Sequence, residues 1–517
     1  MFGEFWSMTA KVFVWAILPF AVVLFVPKES AYGYFLASIG LLGFIFFVSY
    51  AASFGIAEAL LCGLIFCTNS ALVDPTFLPR LPFFGGSLFF SDFYLILASL
   101  VMWLSTTRRK DQFSFSYKKH FFILGGIALL SAFIALSRGA EIHYVLRELH
   151  VLVYYPLTIL LVCWAIQNRE GQLRILLVLC GVVAVSCLAT FWQIILMNHF
   201  QFMAYASPVF DLKGDALDAL RIRPLSQWLF VCFLVGSVGA YPLWKRRRVS
   251  MLAVLTLVSI CLFLGFSRVY IADVAAGLAF ILLARKQDLS RSLQTAAKVL
   301  LVAAIICFSL RATMKQIAPA YWDAFEDRIA SSLTRNALQS DDPWTLGSRL
   351  FEVQAAIGHI TDHPIFGLGV GMEYRDIMPF EYAQTEVREN PEDAVHYMHD
   401  TYLYFWMKYG LLGAVAVLWI LRHFVRRAWA LARQAGDQSA LIVGILGAFV
   451  ALIISNLVSP SFLDSPAVPT LVGLMAGLVE VAHQRLAGTK SILAPQALKR
   501  NVAPIVKPID PEIGLTV

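Results

Sequence analysis

The chain has 517 residues, 59% of them hydrophobic and 15% charged, with a mean hydropathy of +0.71. That composition excludes an ordinary soluble domain and fits a polytopic membrane protein. The net charge of +7 does not describe a nucleic-acid binder, because the basic residues sit in short clusters between apolar runs, where loop anchors belong.

Runs long enough to cross a bilayer, about 17–25 residues each, recur along the whole chain. Spans are expected at 8–27, 31–49, 54–71, 91–105, 121–137, 151–167, 174–196, 227–244, 250–266, 269–285, 294–311, 400–422, 439–457 and 467–484. The fold class is therefore all-α, with about 14 transmembrane helices. The first run, Lys11 to Val26, lacks a small-residue cleavage site and reads as a retained span. From residue 105 onward the basic clusters fall on every second connection: Arg108-Arg109-Lys110 with Lys118-Lys119, Arg169 with Arg174, Lys245 to Arg248, Arg285-Lys286 with Arg291, and Arg422 with Arg426-Arg427. The positive-inside rule places them, and both termini, in the cytoplasm. The opposite face receives 72–90, 138–150, 198–226, the turn at Ser267-Arg268, the long loop 311–399, and 458–466. All eight cysteines lie in apolar runs and read as small buried hydrophobes.

The long loop is expected to be partly helical. Ala318 to Leu338 and Ser348 to Ile360 carry apolar residues at helical spacing, with Ser348 as a cap and Phe351, Ala355, Ile357 and Ile360 near one side of the second helix. Pro364 and the glycines after it end that helix. A loop of this length needs structure of its own, which would cap the membrane part. From His483 to Val517 the chain has little apolar periodicity and reads as a flexible cytoplasmic end.

Several arginines fall on the face that should be poor in them: Arg138, Arg147, Arg221, Arg223, Arg268 and Arg349. A phosphate or diphosphate suits guanidinium forks. The alternative is a structural pairing, such as Arg147 with the adjacent Glu148 or Arg268 with Asp273 one helical turn along. His399, at the mouth of a span, is a candidate base, because histidine is the side chain whose ordinary titration range lies near neutrality. His396, one turn earlier, competes for that role. His359, His363, His396 and His399 together suggest a metal, but no HExxH, Cys ligand or recurrent carboxylate spacing supports one. Glu58 and Glu480 are the main acids inside spans. A transporter places more ionisable groups at mid-membrane, whereas here charge collects at one surface, as chemistry on a lipid-anchored substrate requires.

Gly347-Ser348-Arg349, His363-Pro364-Ile365-Phe366-Gly367-Leu368-Gly369, His399-Asp400-Thr401-Tyr402-Leu403 and Gly410-Leu411-Leu412-Gly413 follow one another. In order and spacing they resemble the O-antigen ligase and polymerase superfamily, over roughly residues 226–460. Ser267-Arg268 resembles that family's Ser-Arg-Gly element, with Val269 in place of the glycine. The resemblance implies a GT-C-like, metal-independent, cofactor-free inverting glycosyltransferase in the bacterial inner membrane, working on the periplasmic face. Its donor is a glycan on undecaprenyl diphosphate, and its acceptor a glycan or a lipid. A polysaccharide polymerase, with a possible chain-length regulator as partner, is the first reading. A ligase to lipid A-core or protein is the alternative, and a transporter of the lipid-linked glycan the third. His399 matches the family's general base or acceptor-positioning histidine. Arg221 or Arg223 matches the loop arginine that holds the diphosphate, and Arg349 and Arg147 are further matches, with Arg268 in the Ser-Arg element. Asp400 departs from the usual Asn or Ser, and its carboxylate either strengthens His399 as a base or pairs elsewhere. Tyr402, Trp344 and Tyr374 either stack on sugars or pack. The chain then divides into N-terminal transmembrane helices (1–225), a core with the periplasmic loop 311–399 (226–460), a last span (461–484) and a tail (485–517).

Overall fold

The computed structural model describes residues 43, 45–69, 81–83, 86–88, 90–109, 115–196, 206–210, 216–222, 227–243, 248–264, 268–284, 294, 297, 348–376, 395, 396, 398–434, 436–457, 462 and 466–500. Among them the chain is overwhelmingly helical. The helices are α1 (Ile45–Phe54), α2 (Ile56–Asn69), α3 (Phe90–Arg109), α4 (Lys118–Ser137), α5 (Ile142–Ala165), α6 (Arg169–Leu196), α7 (Gln227–Gly239), α8 (Arg248–Leu264), α9 (Arg268–Ala284), α10 (Ser348–Asp362), α11 (Thr401–Ala432), α12 (Asp437–Ser455) and α13 (Ala467–Arg500). Seven of them are long and apolar enough to cross a membrane, so this is a multi-pass membrane protein. Two short antiparallel hairpins, not expected from the sequence, lie on connections: Leu81–Phe83 with Gly86–Leu88, and Ala206–Phe210 with Ala216–Ile222.

The helices pack through small residues, as membrane helices do when no hydrophobic force distinguishes a neighbouring helix from lipid. α7, α9 and α12 form one tight group and α5 with α13 another. A Cβ on Gly239 of α7 would collide with Gly444 of α12, and one on Gly473 or Gly477 of α13 with Thr158 or Val162 of α5. Glu58 and Glu480, the main acids expected inside spans, are both paired at one end of the bundle. Arg174 Nε donates to Glu58 Oε2 at 2.7 Å. Arg427 lies 3.1 Å from Glu480, which also accepts from Ser116 Oγ at 2.8 Å. Paired in this way, they are structural charges. The described cysteines are all free thiols.

Three expected boundaries shift. α5 begins at Ile142, so the expected connection 138–150 shrinks to the turn before it and Arg147 stands on a helix. The start was hidden because His143, Arg147, Glu148 and His150 interrupt the apolar run. α11 continues beyond 422 to Ala432. α13 runs as helix to Arg500, past both the expected span end at 484 and the start of the expected tail. The second helix expected in the long loop is present as α10, but its buried side is Glu352, Ala356 and Ile360, whereas Phe351 and Ile357 face outward. The spans expected at 8–27 and 294–311, most of 31–49 and the helix expected at 318–338 lie outside the described residues.

Candidate active site

α11 is broken in its middle. At Gly410 the backbone leaves the helical region (φ 69°, ψ −174°), a conformation open to glycine and strained for other residues. A break strands the carbonyls before it and the N–H groups after it. Residues 363–376 supply the missing partners. Leu368 N–H donates to Met407 O at 2.7 Å and Gly369 N–H to Lys408 O at 3.1 Å, while Leu411 N–H donates to Pro364 O at 2.9 Å. A Cβ on Gly410 would strike the Ile365 carbonyl, and one on Gly367 would strike the Gly410 backbone. Gly367 of the first motif and Gly410 of the last are thus two sides of one backbone contact, whereas Gly369 abuts Ala135 of α4.

The same segment is keyed by a buried charge. Lys408 is 0% exposed. Its Nζ donates to Met372 O and lies 3.4 Å from Glu148 Oε1. Glu148 Oε2 accepts from Gly371 N–H at 2.9 Å, and Ser131 Oγ bridges Lys408 O and Val370 N–H at 2.9 and 3.1 Å. The segment then turns outward. His359 Nε2–H donates to Tyr374 O at 2.9 Å, and Tyr374 N–H to Val395 O at 3.2 Å. Tyr374 is buried, so its ring packs in the protein; Trp344 lies outside the described residues.

His399 sits immediately before the α11 cap, and its partner comes from α10. Nδ1 lies 2.8 and 2.9 Å from the two carboxylate oxygens of Glu352, and the His399 backbone N–H donates to Glu352 Oε2 at 3.1 Å. The Glu352 side chain is 4% exposed, the imidazole 39%. A buried carboxylate on Nδ1–H sets the tautomer and ring orientation, leaving Nε2 as the nitrogen that accepts a proton. Asp400, the neighbour expected to act on His399, instead caps α11, accepting from Tyr402 N–H and Leu403 N–H at 2.9 Å each. Burial pushes its carboxyl pKa up against the effect of those two bonds. Tyr402 ties helices together, its hydroxyl donating to Ile453 O at 3.0 Å. Beside it, Thr401 N–H donates to Asn456 O at 3.0 Å and Thr401 Oγ1 to Asn456 Oδ1 at 2.8 Å, so the start of α11 is fastened to the end of α12.

His396 does not compete as a base. It is 2% exposed and stacked on Tyr144 with ring centroids 3.7 Å apart. Burial, then the ammonium of Lys408 and the charges of Arg147 and His143, hold its pKa down to about 3. Between that value and an unfolded value of about 6.5, the unfolded chain binds a proton that the native protein refuses. Stability is therefore expected to fall as pH drops from about 6.5 toward 3, by at most about 1.4 kcal/mol per pH unit from this group. His396→Phe, which keeps a ring against Tyr144, should flatten that dependence in a thermal-unfolding series in detergent. An unchanged acid slope in the variant would remove His396 as its source.

Of the candidate arginines, Arg147 is exposed on α5, one turn from Tyr144, and close enough to act on His396. Arg138 closes α4 and donates to Leu368 O at 2.9 Å, a structural use. Arg221 lies on a hairpin strand opposite Ser207, Arg268 opens α9, and Arg349 is in the first turn of α10; their side chains, and Arg223 altogether, lie outside the described residues. Asp273, one turn into α9, is fully buried, and among the described residues Ser455 of α12 faces its carboxylate. Among the described residues no group of three or more His, Cys, Asp or Glu converges as a metal would need.

Glu352, Glu148 and Lys408 were missed from the sequence. The available signals were a charge inside an apolar run for Lys408, and for Glu352 its place four and eight residues before Ala356 and Ile360. Residues 225–418 match the family described as O-antigen ligase. This segment holds every motif that carried the resemblance, and the likeness to that superfamily holds over it. No curated protein matches the chain.

Proposed function

We propose that this chain, with its O-antigen ligase segment at 225–418, is an inverting glycosyltransferase. It transfers a glycan from a polyprenyl-diphosphate donor at the end of the bundle where His399 stands. The observation that carries the reading is the His399–Glu352 pair within the matched segment. A hydroxyl of the acceptor attacks the anomeric carbon of the donor, the bond from that carbon to the diphosphate oxygen breaks, and the hydroxyl proton passes to His399 Nε2. The Nδ1–H stays on Glu352, whose negative charge stabilises the imidazolium as it forms. The electron pair leaves with the diphosphate, whose growing charge is the target of the arginines. Arg147, exposed and close to His396, is one candidate, with Arg221 or Arg223, Arg268 and Arg349 as the others. One displacement inverts the anomeric centre, and the diphosphate is a good enough leaving group to need no metal.

We read the chain as a polysaccharide polymerase of the bacterial inner membrane, with undecaprenyl diphosphate as the carrier and the site on the periplasmic face, since the basic connections cluster at the other end. The core spans 226–460 in this reading. The family description favours a second reading, a ligase, which shares the donor chemistry and differs only in acceptor. The test is turnover of a purified undecaprenyl-diphosphate-linked repeat unit in detergent with EDTA. Longer lipid-linked chains are the expected product. Transfer only when lipid A-core is added makes the chain a ligase, and no transfer to any acceptor overturns the enzymatic reading.

A further inference from the structure

Sequence periodicity places residues 311–399 wholly outside the membrane, and the geometry of 348–374 contradicts this. We propose that these residues form a re-entrant hairpin, a helix inward and an irregular return, whose outward face contacts bilayer hydrocarbon.

Depth is the first argument. Glu352 meets His399 at the start of α11, and Pro364 meets Leu411, twelve residues further along each chain. α10 therefore runs parallel to the first part of α11, and the Pro364–Gly367 turn lies at the level of Leu411. Thr401 is fastened to Asn456, just past the end of the membrane helix α12. From Thr401 to Leu411 is ten residues, about 15 Å at helical rise, which is half of a hydrocarbon core about 30 Å thick. α4 agrees independently: Ser131, about 9 Å below the end of that span at helical rise, reaches Lys408 and Val370, and Lys408 lies about 10 Å below Thr401 on the same measure.

Backbone satisfaction is the second. Irregular chain at membrane depth survives only where its polar groups are paired within protein. The N–H groups of Gly367, Leu368, Gly369, Val370 and Gly371 donate in turn to His363 O, Met407 O, Lys408 O, Ser131 Oγ and Glu148 Oε2. An ordinary solvent loop has no need of such complete pairing.

Exposure is the third. Leu350, Ile357, Ile365 and Phe366 are each about half exposed (56, 49, 52 and 50%). Ile365 and Phe366 lie against the Gly410–Leu412 backbone and so adjoin the surface made by Leu411 and Leu412, which faces lipid because α11 is a span; Leu350 and Ile357 share one side of the helix leading to them. Side chains of this kind presented to water would form a large apolar patch. Continuous with a lipid-facing helix, they have hydrocarbon as their partner. The inference stands apart from the reaction proposed above.

The test is spin-label accessibility in proteoliposomes. Single labels go on Ile357→Cys, Phe366→Cys and, as the aqueous reference, Asp376→Cys, with the wild-type protein and its native cysteines as the blank. Labels at 357 and 366 should collide with dissolved oxygen several-fold more, relative to a nickel chelate, than the label at 376. Nickel access at 357 and 366 equal to that at 376 overturns the hairpin. A second measurement needs no label: Phe366→Asp should sharply lower the yield of monodisperse protein while Phe366→Leu leaves it unchanged. Equal yields from the two variants also overturn it.

Discussion

On the proposed reaction, His399→Ala is expected to lower turnover of a polyprenyl-diphosphate-linked glycan by about 10²–10⁴-fold, the usual worth of a positioned general base. The informative companion is Glu352→Gln. The amide keeps the volume and an acceptor oxygen for Nδ1–H but loses the negative charge that faces the imidazolium. It should therefore depress kcat by at least about tenfold while the KM for the lipid-linked donor holds. Glu352→Asp, which keeps the charge on a shorter arm, should recover part of the loss. A structural role for Glu352 predicts a different pattern, in which Gln and Asp variants lose stability together and kcat per folded molecule stays at the wild-type level. If His399→Ala turns over at the wild-type rate, the base is another residue and the proposed mechanism fails. His396 is not a fallback, because its ring is buried against Tyr144 and held neutral.

The largest expected effect on stability is at Glu148. With Glu148→Ala the ammonium of Lys408, 0% exposed, loses its paired carboxylate and keeps the Met372 carbonyl, the face of Tyr404, whose centroid is 5.6 Å away, and the charge of Glu373. Leaving one partner of a buried pair uncompensated costs about 3–5 kcal/mol, enough to remove most of the margin of a typical domain. The double change Glu148→Leu with Lys408→Met removes both charges together and should restore most of that loss, read as the thermal midpoint and monodispersity in detergent. If Glu148→Ala is as stable as wild type, the pair carries no weight. If the double variant is worse than the single one, the hydrogen bond from Gly371 to Glu148 matters more than the charge balance.

The membrane helices were legible in the sequence because hydropathy and length suffice for them. α7, α8, α9 and α12 begin and end close to their expected limits. The failures share a cause. α5 was begun late because four polar side chains at its start look like a loop, although the turn before them is short. The inner face of α10 was misassigned because apolar residues were counted as inward and charged ones as outward. In a protein surrounded by hydrocarbon that count fails: Phe122, Leu129 and Phe133 of α4 all face outward, since lipid is as apolar as the interior. Glu352 was invisible for the same reason, an acid on the inward stripe of a helix. His399 was legible because it belongs to a motif, and its partner was not, because it lies 47 positions away on another helix. The glycines of the two motifs were legible as turn signals. Nothing in their spacing shows that Gly367 and Gly410 press on each other.

The bond between Tyr374 and Val395 has a consequence for how such a protein diversifies. It brings together residues on either side of the stretch 377–394. Lengthening a closed loop costs little, about 0.6 kcal/mol for each doubling. Changes of length between these residues are therefore cheap, and the bonds given above for His399, Glu352, Lys408 and the Gly410 break run between residues outside that stretch. On the proposed reaction, a lineage can rewrite that stretch to suit another sugar while the His399–Glu352 pair keeps its place. Grafting it from one such protein into another should change what is accepted before it changes how the bond is made.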